Sequence, residues 1–275
     1  MADERLRDSW ARLRALLSDP EWDGEDAQRL LRALTAAAHV ASPSEQAPVA
    51  ASMGEYIGTG GVQEAGLVAL AGGAIVEHGG PIEPLADSIR ARIPRVLAAA
   101  GRFVAAAEPA FSDAEEPEED PTPDSVWLGP VAIPRDWVLE LSARDPEAVA
   151  AYVGLDTWCQ PLIAMATREG DLRELLAADE GLRAALRPVA DATPGARWLE
   201  ALCLAPLAET FVFVDARSGR VFELVVDGVA YNFELHSLLA AALAAPLGHA
   251  PPAPDVLDCL AGRGPQSIDT ASEGR

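Results

Sequence analysis

Residues 63–80 read QEAGLVALAGGAIVEHGG. The stretch holds five glycines, and from Ala65 to Val76 no side chain carries a charge or a hydrogen-bonding group. Three readings compete: a phosphate cradle, a membrane span and a core helix. A Walker-type loop needs a lysine after its last glycine, and this chain contains no lysine. The preceding GTGG at 58–61 is too generic to carry a nucleotide claim. A bilayer span needs about 20 apolar residues, and the run here has twelve, with no Arg close to either end. Wound as a helix, the segment gathers Ala65, Gly66, Ala69, Gly72 and Gly73 on one side and Leu67, Val68, Leu70 and Ile75 on the other. Glycine costs about 1 kcal/mol relative to alanine inside a helix, so a small-residue face predicts a neighbouring backbone packed very close. A helix that is apolar all round belongs at the centre of a helical body. Gly79-Gly80 ends it, and Pro81 and Pro84 prevent its continuation.

Working outward, the N-terminal side is helical too. Leu6, Trp10, Leu13 and Leu17 fall at 4-3-4 spacing, one face of a helix that Asp19-Pro20 stops. A second helix is expected over about 25–40, with Ala27, Leu30, Leu31, Leu34 and Ala38 inward. SPSE at 42–45 is a start signal: Ser42 caps, Pro43 suits the first helical position and Glu45 completes a capping box. Beyond the glycine helix, Ile82, Leu85, Ala86, Ile89 and Ile93 repeat the 3-4 pattern. Pro94 either kinks that helix or ends it before another that runs to about Ala107.

FSDAEEPEEDPTPDS at 111–125 carries seven acids and three prolines with almost nothing to bury, which reads as a solvated linker. After it, Asp145-Pro146, Asp156, the Asp171/Glu174 capping box and Thr193-Pro194 each open a short helix. The texture then changes to TFVFVDARSGRVFELVVDGVAYNF, rich in Phe and Val. Two strands are expected at 211–215 and 220–226 around a DARSG turn, with a short third at 229–231 and a closing helix over about 233–245. The fold class is therefore mainly α with a small C-terminal β-meander (α+β). The expected organisation is a helical domain at 1–110, the linker at 111–125, a helical and β domain at 126–247 and a loosely held tail at 248–275, with the two domains either separate or sharing one core.

Composition bounds the function. The 275 residues carry 43 acids against 21 bases, a net charge of −22. That balance argues against nucleic acid or an anionic membrane as partner and permits a basic protein partner. Every base is Arg and there is one Asn, usage that fits a GC-rich, bacterial genome. Cys159, Cys203 and Cys259 are odd in number and widely spaced, which is neither a disulfide framework nor a zinc ribbon. The charged N-terminus shows no signal peptide, so a cytoplasmic location is expected.

Few residues offer chemistry. His236, in the first turn of the expected closing helix and near Tyr231, could act as a neutral base or ligand there. Cys159, about three residues into a helix, reads either as a nucleophile whose thiol the dipole acidifies or, more commonly, as a buried free thiol beside Trp158. Glu77-His78 lacks a second His at i+4, so no metal site is expected, and no cofactor motif occurs. Trp127 and Trp137 flank a Pro-broken segment after the linker and are the candidate partner contacts. The favoured reading is a non-catalytic interaction or regulatory protein that binds a protein partner through apolar surface between helices. The alternatives are a small-molecule enzyme with a site between the meander and the helices, built on His236 and Tyr231, and an acidic immunity or mimic protein that neutralises a basic toxin.

Overall fold

The computed structural model describes residues 2–111, 125–128, 131–205, 209–226, 239 and 241–248. Met1–Cys203 form one compact unit and Leu204–Arg275 a second. The first unit begins with five helices: α1 (Ala2–Leu17), α2 (Gly24–Val40), α3 (Pro43–Thr59), α4 (Val62–Glu77) and α5 (Glu83–Phe111). A hairpin of β1 (Ser125–Leu128) and β2 (Val131–Pro134) follows. Then come α6 (Arg135–Arg144), α7 (Pro146–Val153), α8 (Leu155–Ala166), α9 (Gly170–Ala178), α10 (Glu180–Leu186), a 3-10 turn at Arg187–Val189 and α11 (Pro194–Leu204). The second unit contains the hairpin of β3 (Glu209–Val214) and β4 (Val221–Val226). The fold is mainly α with a small β part, as the periodicity predicts.

Local chemistry sets the helix ends. The Asp23 carboxylate accepts the Glu25 N–H at 2.6 Å and starts α2. Ser42 N–H donates to the Glu45 carboxylate at 2.7 Å, the return half of the predicted capping box. Gly79, at φ +92°, turns the chain out of α4, and the Gly80 N–H bonds the Ile75 carbonyl at 3.0 Å. Pro94 and Pro109 both lie inside α5, so the segment after Pro81 is one helix of 29 residues and not two.

The glycines of α4 work in two directions. A Cβ added at Gly66 would sit 2.5 Å from Thr157 Oγ1 and 2.8 Å from Trp158 Nε1. One added at Gly73 would sit 3.0 Å and 3.1 Å from Pro161 Cβ and Cα. These two positions, two turns apart, let α8 lie directly on α4. Gly72 instead meets the Leu85 side chain of α5, so the single small face expected from the sequence is divided between two neighbours. Ala65, Val68, Ala69, Ala71, Ile75 and Val76 are buried around this axis. Leu67, Leu70 and Ala74 are only half-buried, so α4 is not dry on every side.

The close partner of α4 thus comes from beyond the acidic segment. Buried residues from α1–α5 and from β2 through α11 belong to one hydrophobic core. That core draws on both sides of residues 111–125, and the boundary between the two compact units falls after Cys203. Residues 112–124 themselves lie outside the described residues.

The β1–β2 hairpin was not expected from the sequence. Its antiparallel register pairs Val126 with Ile133 and Trp127 with Ala132. The β3–β4 pair matches the predicted hairpin to within two residues at each end, with Phe213 opposite Phe222. Its turn is the one foreseen: the Asp215 carboxylate accepts the N–H groups of Arg217 at 3.2 Å and Ser218 at 3.1 Å, and Gly219 takes φ +70°. Of the expected closing helix, residues 241–244 are helical. The expected third strand at 229–231 and the tail beyond Gly248 lie outside the described residues. Among the described residues no helix is long and apolar enough to cross a membrane.

Candidate functional site

The half-buried side of α4 opens into a groove of about 690 Å³ bounded by α2, α4 and α8. Its apolar lining comes from Leu31 and Ala36 on α2, Leu70, Ala71 and Ala74 on α4, and Pro161 and Ala164 on α8. The helical periods explain the trough. α2 turns Leu30, Leu34 and Ala38 into the core and leaves Leu31 and Thr35 one position round, half-buried at its edge. Most of the apolar facing residues on α4 and α8 (Ala71, Gly73, Ala74, Pro161 and Ala164) are small or cyclic, which leaves the space between the helices open.

One end of the groove is polar, with Glu77, His78 and His39. His39 lies in the last turn of α2 and His78 caps the C-terminus of α4. Both are exposed, and their Nδ1 atoms approach to 3.3 Å with the rings edge to face, centroids 4.7 Å apart. Arg32 also lines the groove, but its guanidinium reaches back along α2 toward Gln28 Oε1 at 3.4 Å.

Gln46 holds these helix ends together. It is fully buried, the one buried polar or charged residue of the described core. Its Nε2 donates to the Ala38 carbonyl at 2.8 Å, to Ala41 at 3.2 Å and, at the long limit of 3.5 Å, to His78. The Ala38 carbonyl also accepts the Ala41 N–H at 3.2 Å, and the buried amide, which serves α2 and reaches α4, ties together the backbone that carries His39 and His78. Arg168 donates to the Val76 carbonyl and secures the end of α4 from the other side. Replacing Gln46 by Leu strands buried acceptors, at about 1–3 kcal/mol for an orphaned group. Gln46→Leu is therefore expected to lower the unfolding free energy by about 1–3 kcal/mol in urea. The loss is softened because Gln46 Oε1 is itself buried without a partner. An unchanged urea midpoint would mean the amide does not hold these carbonyls.

The residues singled out from sequence sit elsewhere. Cys159 is in α8, fully buried, and burial pushes its thiol well above the ordinary range, with Asp156 adding to the effect. That is opposite to the acidified thiol a nucleophile requires: loss of solvent outweighs the helix dipole. Cys203 is pushed up to about 11, again chiefly by burial. Trp137 is half-buried and packs edge-on against Phe103 at 5.8 Å, and Phe103 in turn stacks on Tyr152 at 4.1 Å. Trp127 lies in β1 opposite Ala132. Trp137 does not line the groove. Tyr231 and His236 lie outside the described residues.

Sequence reading missed Gln46 and the His39/His78 pair. Glutamine in a helix carries no signal of its own, and the two histidines are far apart in the chain. The only available clue was that each stands at a helix C-terminus. Among the described residues no three His, Cys, Asp or Glu side chains gather in a way that could hold a metal ion. Set against known protein families, curated proteins and solved structures, the chain matches none of them.

Proposed function

We propose that the protein is a cytoplasmic, non-catalytic interaction protein that receives an apolar helix face of a protein partner in the α2/α4/α8 groove. The observation that supports this reading is the groove itself. It is open and floored by Leu31, Leu70, Ala74 and Pro161, with Glu77, His39 and His78 at one end and Arg32, Thr35 and Gln160 also in its lining. A partner helix can present apolar side chains at i, i+3/i+4 and i+7 to such a trough. The floor is rigid because Thr157, Trp158 and Pro161 of α8 pack straight onto the backbone of α4 at Gly66 and Gly73, so little order has to be gained on binding. With a net charge of −22, the partner segment that complements this chain is flanked by basic residues.

The test fills the groove without touching the core. Ala74 is half-buried on the groove side of α4, and Ala74→Trp places an indole in the trough. Purified chain is used as bait at ordinary salt, with Val225→Thr on the exposed face of the β3–β4 hairpin as control. A partner retained by wild type and by V225T but lost by A74W, with unchanged far-UV circular dichroism, supports the reading. A partner held equally by A74W overturns it.

A further inference from the structure

We propose that His39 and His78 form a Zn²⁺ site, ligating the ion through their two Nδ1 atoms at the polar end of the groove. The geometry carries the assignment. In a tetrahedral zinc site with metal–nitrogen bonds of about 2.0–2.1 Å, two ligand nitrogens stand about 3.3–3.4 Å apart. The two Nδ1 atoms are 3.3 Å apart, brought together from helices 39 residues distant in the chain. Imidazole nitrogen is a preferred zinc ligand, and the exposure of both rings leaves the ion a path of entry.

The surroundings favour a cation. His39 is in the last turn of α2 and His78 caps α4, so two helix C-termini with their partial negative charge converge on the pair. Glu77 adds a carboxylate at the same end of the groove. Of the nearby cations, Arg32 lies two turns before His39 on α2 and leans back toward Gln28, and Arg168 is engaged by the Val76 carbonyl at the end of α4. The backbone at the two ligands is also tied together, because the buried Gln46 amide serves Ala38, beside His39, and reaches the His78 carbonyl. Since no third His, Cys, Asp or Glu closes on the pair among the described residues, the site is an open one, and water occupies the remaining two positions. The inference is independent of what docks in the groove.

The experiment is a calorimetric titration of the full chain, stripped of metal, with Zn²⁺ in a non-chelating buffer. Wild type is expected to take up one equivalent. H39A and H78A should each weaken binding by about tenfold or more, since each removes one of only two protein ligands. The triple variant H236A/H249A/C259S, which removes the remaining histidines and the third cysteine, should bind as wild type does. Both ring positions are on the surface, so the single variants should keep the wild-type circular dichroism spectrum. In histidine-edited NMR, Zn²⁺ should shift the Nδ1 signals of residues 39 and 78. Three results would each overturn the proposal: no Zn²⁺ uptake by wild type, which leaves only an Nδ1–H···Nδ1 hydrogen bond; H39A and H78A binding like wild type; or loss of binding in the triple variant.

Discussion

Trp158→Ala is expected to lower the unfolding free energy by about 3–5 kcal/mol, a large share of the roughly 5–15 kcal/mol that holds a typical domain folded. Trp158 is fully buried and joins four helices. From α8 its Nε1 donates to the Val62 carbonyl at the start of α4, at 3.0 Å. The Arg92 guanidinium of α5 stands 5.4 Å from the indole centroid, a cation–π contact. Arg92 in turn donates to the Ile57 carbonyl and, at 2.8 Å, to Gly60, closing the C-terminus of α3. Burial lowers the Arg92 pKa and Arg95 lowers it further, while Glu147 and Glu64 act in the opposite sense. Trp158→Phe keeps an aromatic ring and loses the N–H, so it should cost about 1 kcal/mol from the hydrogen bond alone. A double-mutant cycle with Arg92→Met should show a coupling of about 0.5–2 kcal/mol. Urea unfolding followed by circular dichroism reads all of these. A W158A loss of under about 1 kcal/mol, the size of an ordinary surface change, would mean the indole is not where these contacts put it.

What could be read from the chain is what short-range physics determines. The 4-3-4 spacing of Leu6, Trp10, Leu13 and Leu17 predicts one buried face, and all four are buried. The Ser42–Glu45 capping box, the Gly79 exit and the DARSG turn each depend on residues within a few positions, and each forms as expected. What escaped needs distant partners. The small face of α4 announces a close neighbour but does not say which, and its partner α8 lies 96 residues away along the Trp158–Val62 bond. An acidic, proline-rich segment marks an excursion of the chain, and only packing tells whether the helices on either side of it share a core. The β1–β2 strands have four residues each and include Pro134, too little alternation to stand out. Cys159 shows the same limit from the other side. Its position near a helix start argues for an acidic thiol and its neighbour Trp158 for a buried one, and packing decides for burial, which raises the thiol.

The glycines of α4 give the sharpest test of the one-core architecture, because propensity and packing push in opposite directions. Alanine is favoured over glycine in a helix by about 1 kcal/mol, so Gly58→Ala in α3, whose Cβ would meet nothing within 4 Å, should stabilise by about 0.5–1 kcal/mol. Gly72→Ala meets only the methyl ends of Leu85 at 3.0 Å and 3.2 Å, which can change rotamer, so its net effect should stay within about 1 kcal/mol of zero. Gly66→Ala cannot be relieved in that way. Its Cβ would stand 2.5 Å from Thr157 Oγ1 and 2.8 Å from Trp158 Nε1, and both atoms are held, Thr157 by the Gly154 carbonyl at 2.6 Å and Trp158 by Val62. Either α8 moves off α4 or two hydrogen bonds are lost, a net cost of about 1–3 kcal/mol. Gly66→Val adds a branched side chain to the same contact and should exceed about 3 kcal/mol. The order of urea midpoints is therefore G58A above wild type, G72A near it, then G66A, then G66V. If G66V unfolds at the wild-type midpoint, α8 does not lie on α4, and both the shared core and the rigid floor of the groove fall with it.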